Sequence, residues 1–267
     1  FANLRKEIDM ERTARTTADE RAPMDSMRKY ALAAGVLYLI TIIASIPAQF
    51  IFYDPVLNNS DYIVSSGADT QVLWGGFFEL ITALACIGTA VVLYPVVKRW
   101  GEVAALSFVT ARVFEGALIV VGIVSLLSIV TLRQDVAGAA GAEATALVAI
   151  GQTLVAIHDW TFLLGPGVIP GINALLLGYL MYQSGLVPRV IPVMGLIGAP
   201  LILAAGTATL LGINEQVSVW SGIATAPIFL WEFSLGVWMT VKGFNPSALA
   251  SETATPEASE PMPAPAV

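Results

Sequence analysis

Apolar and polar positions divide the chain into long uncharged runs separated by short polar stretches. Ala31 to Phe52 is the first run and holds no charged residue. Val72 to Val97 is interrupted only by Glu79, and Val103 to Leu132 only by Arg112 and Glu115. Val190 to Leu211 is again uncharged, and Val219 to Val241 contains Glu232 as its one charge. Each run reaches the roughly 20 residues that carry a helix across a bilayer core of about 30 Å. The pattern predicts an all-α fold, a polytopic bundle of transmembrane helices.

The fourth region, Glu143 to Gly185, does not read as one simple span. As a single helix it would measure about 63 Å, twice a bilayer core. Gly165-Pro166-Gly167 and Pro170-Gly171 interrupt it in the middle. Two short crossings, a re-entrant segment plus a crossing, or a long helix projecting outward all fit the pattern. The reading adopted is one crossing whose N-terminal half packs at the outer surface. It makes six spans, with seven as the alternative. A broken helix at membrane depth persists only where protein or trapped water satisfies its backbone, so this segment is a candidate site wall.

Three parts follow: a charged N-terminal segment (1–29), a transmembrane domain (30–244) and a Pro/Ala/Glu-rich tail (245–267) expected to be disordered. The first 29 residues contain no apolar stretch of signal-peptide type. The sequence opens on Phe1, and Met24 or Met27 would serve as a natural start.

Composition sharpens the picture. Of 267 residues, 56% are hydrophobic and only 12% charged, about half the usual charged share of a soluble domain. Soluble, disordered and nucleic-acid-binding classes are excluded on that ground. The formal charge of -7 arises largely in loops and tail. With six spans, one side carries Arg28, Lys29, Lys98, Arg99, Arg189 and Lys242. The other carries Arg133 among Asp54, Asp61, Asp69, Asp135, Glu143 and Glu215. This lysine and arginine bias places both termini in the cytoplasm.

Candidate chemistry is confined to a few residues. No CxxC, HExxH, Walker or GxSxG motif occurs, and one histidine excludes a multi-histidine haem or zinc site within the chain. No cofactor and no metal are expected. The single cysteine, Cys86, reads as a small packing residue. Six ionisable residues stand in or beside apolar runs: Glu79, Arg112, Glu115, His158, Asp159 and Glu232. Charges in such places face the bundle interior rather than lipid. At a rise of about 1.5 Å per residue, Glu79 lies about 10 Å and Glu232 about 20 Å below the outer face. Arg112 and Glu115 lie about 14 and 18 Å above the inner face. One shared polar site, nearer the outside, accounts for these levels.

Four carboxylates there face one guanidinium and one imidazole. Even a protonated His158 leaves two negative charges uncompensated. At least one carboxylate must then be protonated, hydrated or paired with a cation. Read blandly, Arg112 and Glu115 are a structural ion pair, and His158 anchors a helix end beside Trp160.

The stretches HDWTFLLGPG (158–167), LLLGYLMYQSGLVPR (175–189), MGLIGAP (194–200) and LWEFSLGVWMTVKGF (230–244) resemble a bacterial domain-of-unknown-function family, number 4386. YLITIIASIP (38–47), VVLYPVVKRWGE (91–102) and ARVFE (111–115) fit the same family. The resemblance covers roughly Lys29 to Phe244 and implies a multi-pass protein of the bacterial plasma membrane. The six ionisable residues match the family's polar positions, without any role attached. One departure is Ile228, where the family pattern has an acidic residue between the proline and the Trp-Glu of the last span.

The function expected is binding or transport of a small molecule or ion coupled to protonation. The alternatives are a membrane-embedded acid–base enzyme acting on a lipid or isoprenoid, and a non-catalytic accessory subunit of a membrane complex. The expected partners are the bilayer and a small-molecule, lipid or cation ligand; a homo-oligomer or larger complex is compatible with the sequence.

Overall fold

The computed structural model describes residues 26–65, 67–136 and 141–253. The expectations for residues 1–25, Met24 included, and for the tail beyond residue 253 lie outside these described residues. Six helices among them are long and apolar enough to cross a membrane. They are α1 (Ser26–Phe52), α3 (Asp69–Val97), α4 (Glu102–Asp135), the α5–α6 pair, α7 (Val190–Leu210) and α8 (Val219–Val241). A short helix α2 (Asp54–Leu57) follows α1.

The fourth region is broken where its glycines and prolines predict. Helix α5 (Ala142–Leu164) ends at Gly165, and α6 (Ile169–Ser184) starts with Pro170 in its first turn, a position that loses no helical hydrogen bond. Together they form one candidate crossing of 43 residues. The pair runs antiparallel to α4. The Ser125 hydroxyl donates to the Leu154 carbonyl, Gly122 faces His158, and Gly165 faces Leu118. The N-terminal part of α5 packs on the segment between α1 and α3, with Gly151 against Ile63 and Leu147 in the same apolar cluster.

Alternating helix directions give the bundle a basic end, with Lys98, Arg99, Arg189 and Lys242, and an acidic end, with Asp54, Asp61, Asp69, Asp135 and Glu215. Each end has its own core. At the basic end Leu93, Phe108, Leu177, Met181, Trp231 and Leu235 pack together. At the acidic end Tyr53, Val56, Tyr62, Val72, Leu126 and Leu147 do so. Apolar residues such as Ile43, Leu84, Val103 and Val124 are exposed around the outside, where lipid would cover them.

Helix α1 closes the bundle against α8, and the closure is tight only at the basic end. A Cβ at Gly35 would stand 2.5 Å from the Thr240 Oγ1 and 2.7 Å from the Gly236 carbonyl. Small residues thus let the two backbones approach closely. Arg28 reinforces this end by donating from Nη1 to the Met239 carbonyl and from Nη2 to that of Thr240. These are carbonyls of the last helical turn, where a cation is favoured. The start of the expected disordered tail is instead helical, as α9 (Pro246–Thr253). Asn245 ties it down, donating from its backbone to Leu186 and from Nδ2 to Gly185.

Candidate functional site

Helix α4 sets the site. Arg112 and Glu115 are three residues apart and share a face. Arg112 is buried at 1% exposure and is the centre of the cluster. Its Nη1 donates to Glu115 Oε2 at 3.0 Å, and its Nη2 to Glu232 Oε1 on α8 at 2.7 Å. Nη1 also lies 3.5 Å from Cys86 Sγ on α3. The guanidinium stands over the Tyr38 ring of α1 at 5.1 Å and near that of Phe108 at 5.9 Å, geometry suited to cation–π attraction. From α6, Asn173 Nδ2 donates to Glu115 Oε2 at 2.8 Å. Five helices therefore converge on the Arg112–Glu115 pair.

The cluster is not saturated. Arg112 Nε, Asn173 Oδ1 and the Tyr38 hydroxyl are buried without a hydrogen-bond partner among the described residues. Buried polar groups are normally paired, so the cluster carries unmet hydrogen-bonding capacity among the described residues.

A cavity of about 380 Å³ rises from the cluster toward the acidic end. Its floor is Arg112, Glu115, Cys86 and Glu232. Glu79 and Thr82 of α3, and Pro166 and Pro170 at the α5–α6 break, form one side. Near the top, Gln216, Val217 and Ser218 precede α8. Ile46 and Phe50 of α1 and Phe229 of α8 line the cavity and are also exposed on the outside of the bundle. These exposed lining residues mark the α1–α8 side as the one where the cavity comes nearest the outside of the bundle. A stretch of wider π-helical turn, Ala48–Phe52, brings Gln49 and Phe50 to this wall, a local irregularity frequent at functional sites. Most of the wall is apolar.

The six predicted residues are distributed less simply than one shared site. Arg112, Glu115 and Glu232 form a single hydrogen-bonded group. Glu79 shares their cavity but stands outside their hydrogen-bonded group, beside the Tyr53 hydroxyl; it lies one helical turn from Gly75, on which the Tyr53 ring rests. His158 is buried at 2% exposure, edge-on to Tyr53 at 5.7 Å and stacked on Phe162 at 6.1 Å. Asp159, by contrast, is outside the cavity: its side chain is 54% exposed and lines a separate hollow at the acidic end with Asn58, Asn59 and Gln152. Successive helical residues point about 100° apart, so His158 turns inward while its neighbour turns out.

Removing Asp159 changes the charge count. Three carboxylates, Glu79, Glu115 and Glu232, face Arg112 around the cavity. The sequence reading missed Asn173, Tyr38, Gln49 and Tyr53. Asn173 had a signal, as a polar residue inside the apolar run after the Pro170-Gly171 break. The others are uncharged residues of amphipathic type that read as ordinary interface or packing positions. Cys86 proves to be a cavity-wall residue beside Arg112 as well as a packing one.

No curated protein and no solved structure matches the chain. The sequence from residue 33 to residue 243 matches the family described as Domain of unknown function (DUF4386), which spans the membrane bundle and every residue of the cavity floor. The chain is a multi-pass membrane protein and belongs to that family.

Proposed function

We propose that the cavity binds a small molecule with an apolar body and a positively charged group, and that binding is coupled to protonation of the cavity carboxylates. The observation that carries this reading is the excess of carboxylate over guanidinium at the floor of a largely apolar pocket. With all groups ionised, three negative charges meet one positive charge. In a low-dielectric setting the surplus is relieved by a proton or by a bound cation, so the two compete. Glu79 and Glu232 are the side chains best placed for that exchange. Glu79 has no cation beside it among the described residues, its polar neighbour being the Tyr53 hydroxyl, and Glu232 has only Arg112. The apolar wall and the α1–α8 side suit a molecule that arrives from the bilayer or its outer interface. The acidic end then faces outward, as the lysine and arginine bias implies.

The test is a titration of the purified protein in detergent with tetraphenylphosphonium, an apolar cation, and with tetraphenylborate, its anionic counterpart. The cation should stabilise the protein against heat at pH 8 and progressively less toward pH 5. Glu79→Gln or Glu232→Gln should weaken that effect at least tenfold. Equal responses to cation and anion would refute the reading.

A second reading is favoured by the lateral approach on the α1–α8 side: acid–base chemistry on a lipid, with Glu232 or Glu79 as the acid. Incubation with extracted membrane lipids, followed by mass spectrometry, separates the two. A changed lipid lost in Glu232→Gln supports the enzyme; retention of unchanged lipid supports the binder.

A further inference from the structure

We propose that Asp159 and His158 form a proton entrance to Glu79 that is separate from the ligand's path. The inference rests on the preceding reading only in requiring that Glu79 change its protonation state. Three hollows lie in sequence along α5. The outermost, at the acidic end, holds the exposed Asp159 carboxylate. His158 Nδ1 lies 3.3 Å from Asp159 Oδ1, which joins that carboxylate to a buried imidazole. The imidazole in turn lines a void of about 10 Å³ together with Glu79, Gly122 and Thr161. That volume is at the lower limit for one water molecule. The same Glu79 belongs to the wall of the large cavity.

The surroundings favour a relay over a structural pair. Around His158 the titratable groups are Asp159 on its own helix, Tyr53 after α1, and Glu79 on α3; its neighbour on α4 is Gly122. No cation among the described residues stands beside it to hold a fixed charge. A neutral imidazole accepts a proton on one ring nitrogen and donates from the other. In the inward step, Nδ1 takes a proton from solution by way of Asp159, giving the imidazolium. Nε2 then releases its proton to water in the void, and that water passes one to a Glu79 oxygen. The N–H bond broken at Nε2 is matched by the O–H bond formed at Glu79, and one positive charge has moved inward. The ring is left as its Nδ1–H tautomer, and the same transfers run in reverse when Glu79 gives up its proton restore the starting tautomer. Gly122 keeps that side open, since a Cβ there would stand 3.3 Å from the ring's Cδ2.

The consequence is that Glu79 is protonated while a ligand fills the large cavity, since the proton does not need the ligand's path. The experiment is time-resolved infrared spectroscopy after laser release of caged protons, on the full chain in nanodiscs. The carboxylic C=O band absent in Glu79→Gln reports Glu79. His158→Asn should slow the rise of this band at least tenfold and leave its final amplitude unchanged. Asp159→Asn should slow it about threefold, with Asp159→Glu close to wild type. A folded His158→Asn protein that protonates Glu79 at the wild-type rate would overturn the proposal. If that variant does not fold, a wild-type rate in the surface variant Asp159→Asn overturns it instead. Equilibrium binding of tetraphenylphosphonium at pH 8 should survive in His158→Asn. Its absence from the wild-type protein would instead count against the binding reading, whatever the proton rates.

Discussion

Helix α4 carries two arginines, Arg112 and Arg133, in opposite circumstances. Arg133, at the acidic end, meets one carboxylate: its Nη1 donates to Asp69 Oδ2 at 2.7 Å. Its Nε donates to the Ser65 carbonyl at 2.8 Å, and the Tyr62 ring lies 5.5 Å from the guanidinium. Asp69 is matched in turn, accepting also from the Tyr62 hydroxyl and Gln134. Charges cancel and donors are used, which makes this a latch between the α1–α3 connection and α4. Arg112 meets two carboxylates with a third in the same cavity, keeps a buried Nε unpaired, and faces about 380 Å³ of open space. One arrangement closes the fold. The other leaves carboxylates in excess and hydrogen-bonding capacity unmet among the described residues.

The largest effect expected is on the open arrangement. Arg112→Met leaves Glu115 and Glu232 buried without their cation and should destabilise the protein by about 3–5 kcal/mol. Thermal unfolding in detergent would register this as a large fall in midpoint. Replacing the whole group, as Arg112→Met with Glu115→Leu and Glu232→Leu, should recover most of that stability, because no unpaired charge remains. The same triple variant should lose response to tetraphenylphosphonium. If it instead binds the cation as wild type does, the cluster is not the ligand's charge partner.

The latch should be less sensitive. Arg133→Gln breaks a partly exposed pair, worth up to about 1 kcal/mol, and should raise hydrogen exchange in the 53–65 segment without altering cation binding. A loss of binding would show that the two arginines are coupled and the contrast between them too sharp.

Smallest is an alkaline effect at Tyr62. Burial first, and then its hydrogen bond to Asp69, raise the hydroxyl's pKa above the ordinary 10.0. A folded-state value above the unfolded one means that its contribution is complete below about pH 10 and is lost as pH rises beyond it. Wild type should therefore lose stability above pH 10 more steeply than Tyr62→Phe, by chemical unfolding at each pH.

Reading from sequence to structure succeeded where the signal is local. Six spans, the break at Gly165–Gly167 and the burial of Glu79, Arg112 and Glu115 each follow from runs of some twenty residues and from helical spacing. It succeeded less with pairing. Arg112 and Glu232 are 120 positions apart, and no local pattern says which of several intramembrane carboxylates the arginine takes. Asp159 shows the same limit from the other side. It adjoins His158 in sequence and has the right charge, yet helix phase turns it away from the cavity.

The amino-acid sequence by itself determined the environment, because charge scarcity and apolar run length are additive properties of neighbouring residues. It also determined that acidic groups would outnumber basic ones inside the membrane. Only the tertiary structure decided which of them share a cavity, where that cavity comes nearest the outside of the bundle, and which arginine is satisfied. Those outcomes depend on the rotation of each helix about its own axis and on close approaches such as Gly35 with Gly236. They are set by packing among helices distant in the chain.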